Sequence, residues 1–281
     1  MYKILSKRDL TDITKLFVVD APFVARKAEP GQFVIVRVRE EGERVPLTIA
    51  DFDRGKGTVT VVIQEVGLTS KLINQLKPGD SFQDFVGPLG KPCPIEESGT
   101  VVLAGGGFGV APVYPIAKKM KAEGKVHIVS IIGARTKDLL ILEPEMRSVS
   151  DELIIITDDG SYGRKAFPTD IIKEMREKGT KIDRVIAIGP MVMMRAVANL
   201  TKTLGLPTYV SADPIMVDGT GMCGACRLTV GGKVKFACVD GPILDGHQVD
   251  FEEAIRRGKM YATEQKTALD HHHECQCGGG H

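Results

Sequence analysis

The sequence predicts a β + α/β protein in three successive parts: a small antiparallel barrel, a parallel-sheet nucleotide-binding domain, and a compact cysteine-bearing module. Three observations carry this. Short Val-, Ile- and Thr-rich runs cut by Gly and Pro fill residues 1–97. Apolar runs then alternate with helix-length stretches over 98–210, and Gly, Asp and Cys become dense over 211–262. Residues 263–281 form a biased tail ending in a His- and Cys-rich tract.

In the first part, residues 33–38, 45–50 and 58–66 show partial two-residue alternation, and Gly or Pro separates them at Pro30-Gly31, Gly55, Gly57, Pro78-Gly79 and Gly87-Pro88. Many short strands with regular turn signals suggest an antiparallel barrel. Residues 70–76 read as a short helix within it. The run Arg44-Val45-Pro46-Leu47-Thr48 sets an arginine at the head of a strand, with a hydroxyl four residues on. Such a pair can hold a pyrophosphate and the edge of a flavin ring. An ordinary strand with a solvated arginine has the same pattern. Gly67-Leu-Thr69-Ser70 adds a glycine turn and two hydroxyls at a helix start, a plausible anion site.

The second part opens with a buried-strand run at 101–104, followed by Gly105-Gly106-Gly107-Phe-Gly109-Val-Ala-Pro112 and a helix over 111–123. Further strands are expected at 126–132, 153–156 and 184–188, with helices at 169–177 and 191–203. A glycine-rich turn between a strand and a helix is the setting of a nucleotide phosphate loop, and open α/β sheets bind ligands at the carboxyl ends of their strands. Thr157-Asp158-Asp159-Gly-Ser and Gly189-Pro190 stand at two more such ends. Asp158 and Asp159 favour NAD over NADP, since a 2′-phosphate would meet like charge. The two aspartates could equally serve only to end a turn.

The third part contains Asp218-Gly-Thr-Gly-Met-Cys223-Gly-Ala-Cys226, a hairpin around Gly231-Gly232, and Cys238. The spacing is that of a plant-type [2Fe–2S] ligand set, C-x4-C-x2-C…C, with aspartate at the first position. Glycines around the cysteines let the backbone wrap an inorganic core. A carboxylate is a harder ligand than a thiolate but can bind iron. A zinc ribbon on the same three cysteines is the structural alternative, and Cys93, Cys275 or Cys277 is an alternative fourth ligand. A module of this size is small for a core of its own and is expected to need a metal staple. The tail residues His271, His272, His273, Cys275, Cys277 and His281 could bind metal, or form a solvated terminus.

Composition narrows the class. Hydrophobic content of 43%, charged content of 26% and a net charge of +1 fit a globular protein without a field that attracts nucleic acid or membrane. The N-terminus alternates like a strand rather than reading as an export signal. Six cysteines, clustered, suggest metal ligation in a reducing compartment, so a cytoplasmic location is expected.

Parts in this order resemble the ferredoxin reductase-like flavoproteins. The branch is the one that holds the electron-transfer subunit of dihydroorotate dehydrogenase and the small subunit of NADH-dependent reduced ferredoxin:NADP oxidoreductase, also described as the sulfide dehydrogenase small subunit. The resemblance covers about residues 1–260 and rests on the segments 44–50, 87–90, 157–163 and 214–226. It implies a flavin-binding barrel in which Val45, Pro46, Leu47 and Thr48 line FAD, and Val62, Ile63, Gln64, Thr69 and Ser70 complete the site. Arg44 stands one residue earlier than in the family pattern. Gly105 to Pro112, Asp158, Asp159, Gly189 and Pro190 would hold NAD(H). The dihydroorotate branch carries four cysteines at the cluster, whereas Asp218 matches the oxidoreductase subunit. The implied activity is hydride exchange with NAD(H) and one-electron transfer through FAD and the cluster. The implied partner is a larger subunit with its own FAD and [4Fe–4S] clusters. That heterodimer would couple NADH, NADPH and ferredoxin by electron bifurcation. A dihydroorotate dehydrogenase partner, a self-contained reductase feeding ferredoxin, and a non-redox zinc-stapled nucleotide-binding module are the rival readings.

Overall fold

The computed structural model describes residues 2–95 and 98–277, with side chains as far as Asp270. The expected 97/98 boundary adjoins residues 96 and 97, which lie outside the described residues.

The first sheet contains β1 (Tyr2–Asp9), β2 (Thr14–Asp20), β3 (Phe33–Arg37), β4 (Val45–Asp53), β5 (Thr58–Gln64), β6 (Ser81–Phe82) and β7 (Asp84–Leu89). Their order is β6-β1-β2-β5-β4-β3-β7, and every pairing is antiparallel. The two edge strands are separated in the chain by Gln83 alone, so the sheet curls until its edges meet. This is the expected barrel, nearly closed. Alternate side chains fill it: Val34 and Val36, Leu47 and Ile49, and Val59, Val61 and Ile63 share one core with Phe17, Phe82 and Phe85. The intervening residues are buried too. Phe33 and Ile35 pack into a second core, and Ala50 and Val62 into a third. Burial of both faces explains why the alternation is only partial in the sequence. Helices α1 (Pro22–Lys27) and α2 (Leu68–Gln75) lie among these strands.

The second sheet runs β11-β10-β9-β8-β12-β13-β16. Its strands are β8 (Gly99–Gly106), β9 (Val126–Ala134), β10 (Glu152–Thr157), β11 (Arg164–Lys165), β12 (Arg184–Ile188), β13 (Thr208–Ser211) and β16 (Ile243–Asp245). All pair in parallel except β16, which is antiparallel to β13. Helices α3 (Val110–Glu123) and α4 (Glu143–Val149) cover one face, against Val101, Leu103, Ile128, Ile132 and Ile186. Helices α5 (Pro168–Glu177) and α6 (Met191–Thr203) cover the other, against Val102, Ala104, Val129, Ile131 and Val185. The sheet is doubly wound, as expected. The short parallel strands β11 and β13 and the antiparallel edge β16 were not expected.

Hairpin β14 (Arg227–Val230) and β15 (Lys233–Phe236) leads into α7 (Ala237–Asp240), and α8 (Phe251–Gly258) follows β16. Cys226, Leu228, Cys238, Leu244 and Phe251 share a core with strands of the second sheet and with Phe33 and Ile35 of the barrel. The C-terminal stretch therefore does not depend on a core of its own: it is built into the seam between the two sheets. Helix α9 (Ala262–Cys277) runs against α2. The side chains of the tract 271–277, and all of 278–281, lie outside the described residues, and with them the tail's expected metal donors and the alternative ligands Cys275 and Cys277. Among the described residues no helix is long and apolar enough to cross a membrane.

Candidate functional site

The loop of the [2Fe–2S]-like motif is shaped by glycine. Gly219 has φ +82°, and a Cβ there would meet Ile35 Cγ1 at 2.8 Å and Leu89 Cδ1 at 3.0 Å. Only glycine fits this backbone and this closeness, so the loop lies directly on the outer face of β3 and β7. The hairpin then returns the chain to its start. Its two-residue Gly231-Gly232 turn has φ of +58° and +73°, the primed geometry that matches strand twist. Arg227 pairs with Phe236, and the Ala237 N–H donates to the Cys226 carbonyl at 3.1 Å. Cys226 and Cys238 thus meet, with sulfurs 3.1 Å apart and both buried.

Cys223 is exposed. Backbone amides of Ala225 and Asp218 turn toward its sulfur and hold its pKa below the usual thiol range. Cys238 behaves oppositely: burial, then the Cys226 sulfur beside it, push its pKa up to about 12, and Cys223 adds to the effect. All three thiols therefore lie in one electrostatic neighbourhood. The Asp218 carboxylate accepts from the Thr220 N–H at 3.1 Å and from the Thr220 hydroxyl. The Thr220 hydroxyl, and more weakly the charge of Arg44, hold its pKa below the ordinary carboxylate value. Among the described residues no three His, Cys, Asp or Glu side chains already converge on one point. A two-iron rhomb does not require that, since each iron needs two protein donors. Cys226 with Cys238, and Cys223 beside Asp218, would supply such pairs. The donor set of three sulfurs and a carboxylate in a glycine-rich loop fits this cluster. Cys93 does not join them: it is buried in a different core, with Ala50 and Val62.

The proposed flavin strand lies next to this loop. Pro46 pairs with Ile35, and Thr48 with Phe33, on the barrel's outer face. Val62 and Gln64 of β5 also alternate outward, and Val62 packs in the core that includes α3. Val45, Leu47 and Ile63 face the barrel interior, so they can meet a ligand on the outer face only through backbone. Arg44 is exposed just before β4. At α2, Ser70 Oγ accepts from the N–H groups of Gly67 and Val66, both at 2.9 Å, and so caps its own helix. Thr69 donates to the Glu43 carboxylate. Both hydroxyls are engaged within the chain. A cavity of about 190 Å³ lies beside them, lined by Arg39, Glu43, Leu68, Thr69 and Leu72.

The glycine-bearing strand ends gather at one place. β8 continues to β9 on one side and neighbours β12 on the other, so the order reverses between β8 and β12. Gly105 and Gly106 end β8, and Gly189 follows β12. A Cβ on Gly109 would strike the Ile188 carbonyl, and one on Gly189 would lie 2.9 Å from the Gly106 oxygen. Only bare backbone fits between these strand ends, as a phosphate loop requires. Gly107 sits in the turn, and Pro112 occupies the first turn of α3, where no N–H bond is lost. The Pro190 carbonyl accepts the first amides of α6, from Met193 at 2.8 Å and Met194 at 3.0 Å. Asp158 and Asp159 are exposed at the end of β10. Asp159 accepts the Ser161 N–H at 2.9 Å, and the Ser161 bonds keep its pKa low. The same rim carries Arg135, Lys137 and Tyr162, with the Lys137 ammonium 5.3 Å from the Tyr162 ring centre. Motif reading missed Arg135 and Lys137, which belong to no glycine signature, and gave no role to Tyr162 within the segment 157–163. Next to them is a cavity of about 380 Å³, lined by Arg8 and Leu10 of the barrel and by Lys137, Leu142, Glu143 and Tyr162.

Residues 213–250 match the family model of the iron–sulfur cluster binding domain of dihydroorotate dehydrogenase B. A Thermotoga maritima protein described as a dihydroorotate dehydrogenase B (NAD(+)) electron transfer subunit homolog is 46% identical, over 90% of this chain and 89% of its own length. The corresponding Geobacillus thermodenitrificans electron transfer subunit is 34% identical over 88% of this chain and 96% of its own. A solved chain of an NADH-dependent reduced ferredoxin-NADP oxidoreductase, described in connection with flavin-based electron bifurcation, superposes with a TM-score of 0.91. It is 43% identical and covers 96% of this chain and 97% of its own. An Amycolatopsis cytochrome P450 reductase shares the fold at 24% identity, with a TM-score of 0.62, over 72% of this chain and 65% of its own.

Proposed function

This chain belongs to the family of dihydroorotate dehydrogenase B electron-transfer subunits, and from that membership we propose that it relays electrons between NAD(H) and a larger partner subunit of a bifurcating NADH/NADPH/ferredoxin oxidoreductase. It is a flavin- and iron–sulfur-dependent oxidoreductase subunit, with FAD, a [2Fe–2S] cluster and NAD(H) as its cofactors. Bound flavin would exchange a hydride with nicotinamide on one side and single electrons with the cluster on the other.

The chain's residues supply position and charge rather than acid–base chemistry. Gly105, Gly106, Gly109 and Gly189 admit the nucleotide's phosphates to bare backbone, with the first turn of α3 facing them. The outer face of β4, around Pro46 and Thr48, offers the flavin a flat strand, with Val62 and Gln64 continuing it on β5. Arg44 is available to the pyrophosphate. Asp218, Cys223, Cys226 and Cys238 hold the cluster. The observation that carries the reading is the seat of the cluster loop: Gly219 rests on Ile35, whose strand partner is Pro46 of the flavin strand. The loop that would hold the cluster and the strand that would hold the flavin thereby meet across the adjacent strands β3 and β4.

Asp218 favours the ferredoxin-coupled partner over a dihydroorotate-oxidising one, because the carboxylate stands where the dihydroorotate branch carries a fourth thiolate. The partner would bring its own FAD and [4Fe–4S] clusters, and ferredoxin would react through the complex. Anaerobic purification of the native complex tests this. A yellow-brown preparation that contains a second, larger polypeptide and reduces NADP with NADH and reduced ferredoxin is expected. Copurification with a dihydroorotate-oxidising subunit, or full ferredoxin reductase activity from the chain alone, would refute it.

A further inference from the structure

Arg257 reaches the cluster loop from α8, thirty-two residues away in the chain. Its Nη2 donates to the Ala225 carbonyl at 3.1 Å. Ala225 stands between Cys223 and Cys226, so the guanidinium is tied to the backbone that joins two of the ligands. The Nε of the same side chain is buried and has no hydrogen-bond partner among the described residues. The helix that presents it is firmly held. Asp250 Oδ1 caps α8 by accepting from the Glu253 N–H at 2.9 Å, and Glu253 Oε2 accepts from the Thr229 N–H of β14 at 2.8 Å. Phe251 and Ala254 are buried beneath it. Arg227 offers a contrast: its Nη1 meets the Gly224 carbonyl at 3.2 Å, but it is exposed and only three residues from its acceptor.

We propose that Arg257 is a positioning residue that raises the reduction potential of the cluster, by keeping a half-buried positive charge against the backbone between two of its ligands. The inference rests on residues 218–238 being an iron–sulfur site. Three thiolates and a carboxylate leave a two-iron cluster negatively charged. Reduction adds one electron, converts one ferric ion to ferrous and deepens that charge. A nearby cation favours the reduced form, the more so where water is partly excluded. The exposed charge of Arg227 is screened and acts weakly.

The test is an EPR-monitored redox titration of the iron-replete holo-chain with dithionite as reductant, on Arg257→Gln, Arg257→Lys and Arg227→Gln. Glutamine keeps a donor for the Ala225 carbonyl and removes the charge; lysine keeps the charge. Arg257→Gln is expected to retain iron and sulfide and to titrate lower, so that the oxidised-to-reduced ratio at the wild-type midpoint rises about tenfold, equivalent to about 59 mV for one electron. Arg257→Lys and Arg227→Gln are expected to stay within about threefold of wild type. An iron-replete Arg257→Gln that titrates with wild type overturns the proposal, as does a lysine variant that shifts as far as glutamine. Should Arg257→Gln lose iron, the lysine variant decides: an unchanged midpoint supports the proposal and a lowered one overturns it. Absence of iron from the wild-type chain would instead remove the iron–sulfur reading itself, and the proposal with it.

Discussion

Asp218 is the residue on which the cluster assignment turns. Replacing it with Ala removes one donor and should cost most of the bound iron, whereas Asp218→Cys should retain it, because a thiolate is the usual ligand at that position. Iron analysis of the two purified variants decides the matter, and equal iron in wild type and Asp218→Ala would remove the carboxylate from the ligand set. Cys223 gives a second check. It alone of the three loop thiols is exposed, and its pKa is lowered. In the iron-free chain it should be alkylated by iodoacetamide well ahead of Cys226 and Cys238, and the cluster should protect it. Mass mapping that finds Cys238 modified first would contradict the geometry. This part of the site was legible in the sequence, because ligand spacing within a short loop is a local property. Arg257 was not: its link to Ala225 arises only when α8 packs on the hairpin. Neither was the self-capping by Ser70, since a hydroxyl at a helix start reads alike whether it serves a ligand or its own backbone.

Elements were legible where one periodicity dominated. The hairpin at Gly231-Gly232 and the helices behind β8 and β12 follow directly from turn glycines and helical stretches. Strands β13 and β16 are short and gain their place from pairing with neighbours, which no local pattern encodes. The barrel strands gave weak alternation because three different cores take their side chains. The β8–α3 turn approaches the end of β12 so closely that only glycine fits at Gly109. Gly109→Val would drive a side chain into the Ile188 carbonyl. A loss of about 1–3 kcal/mol is expected from such overpacking, together with weaker NADH binding. Thermal melting and NADH titration measure the two effects, and unchanged values for both would show that the turn has room.

At the scale of the whole molecule, the two large sheets and the cluster module are joined by shared cores, which keeps the cluster loop, the flavin strand and the nucleotide rim in fixed relation. Met222 is 88% exposed beside the exposed Cys223, with the exposed Val217 in the same loop and Val239 in α7. Exposed apolar groups around an electron-transfer site suit a partner surface. Met222→Asp should therefore weaken assembly with the larger subunit by about tenfold or more, without altering NADH reduction of the flavin. Pull-down titration beside stopped-flow absorbance reads both, and tight binding by the variant would move the interface elsewhere.

The relay within a single chain is tested most directly by titrating the anaerobically purified chain with NADH while following flavin absorbance and the low-temperature EPR spectrum together. Bleaching of the flavin accompanied by the rhombic signal of a reduced [2Fe–2S] cluster is the result the structure leads us to expect. A chain whose flavin bleaches fully while the cluster, reducible by dithionite, never responds to NADH in the isolated chain or in its complex would contradict it.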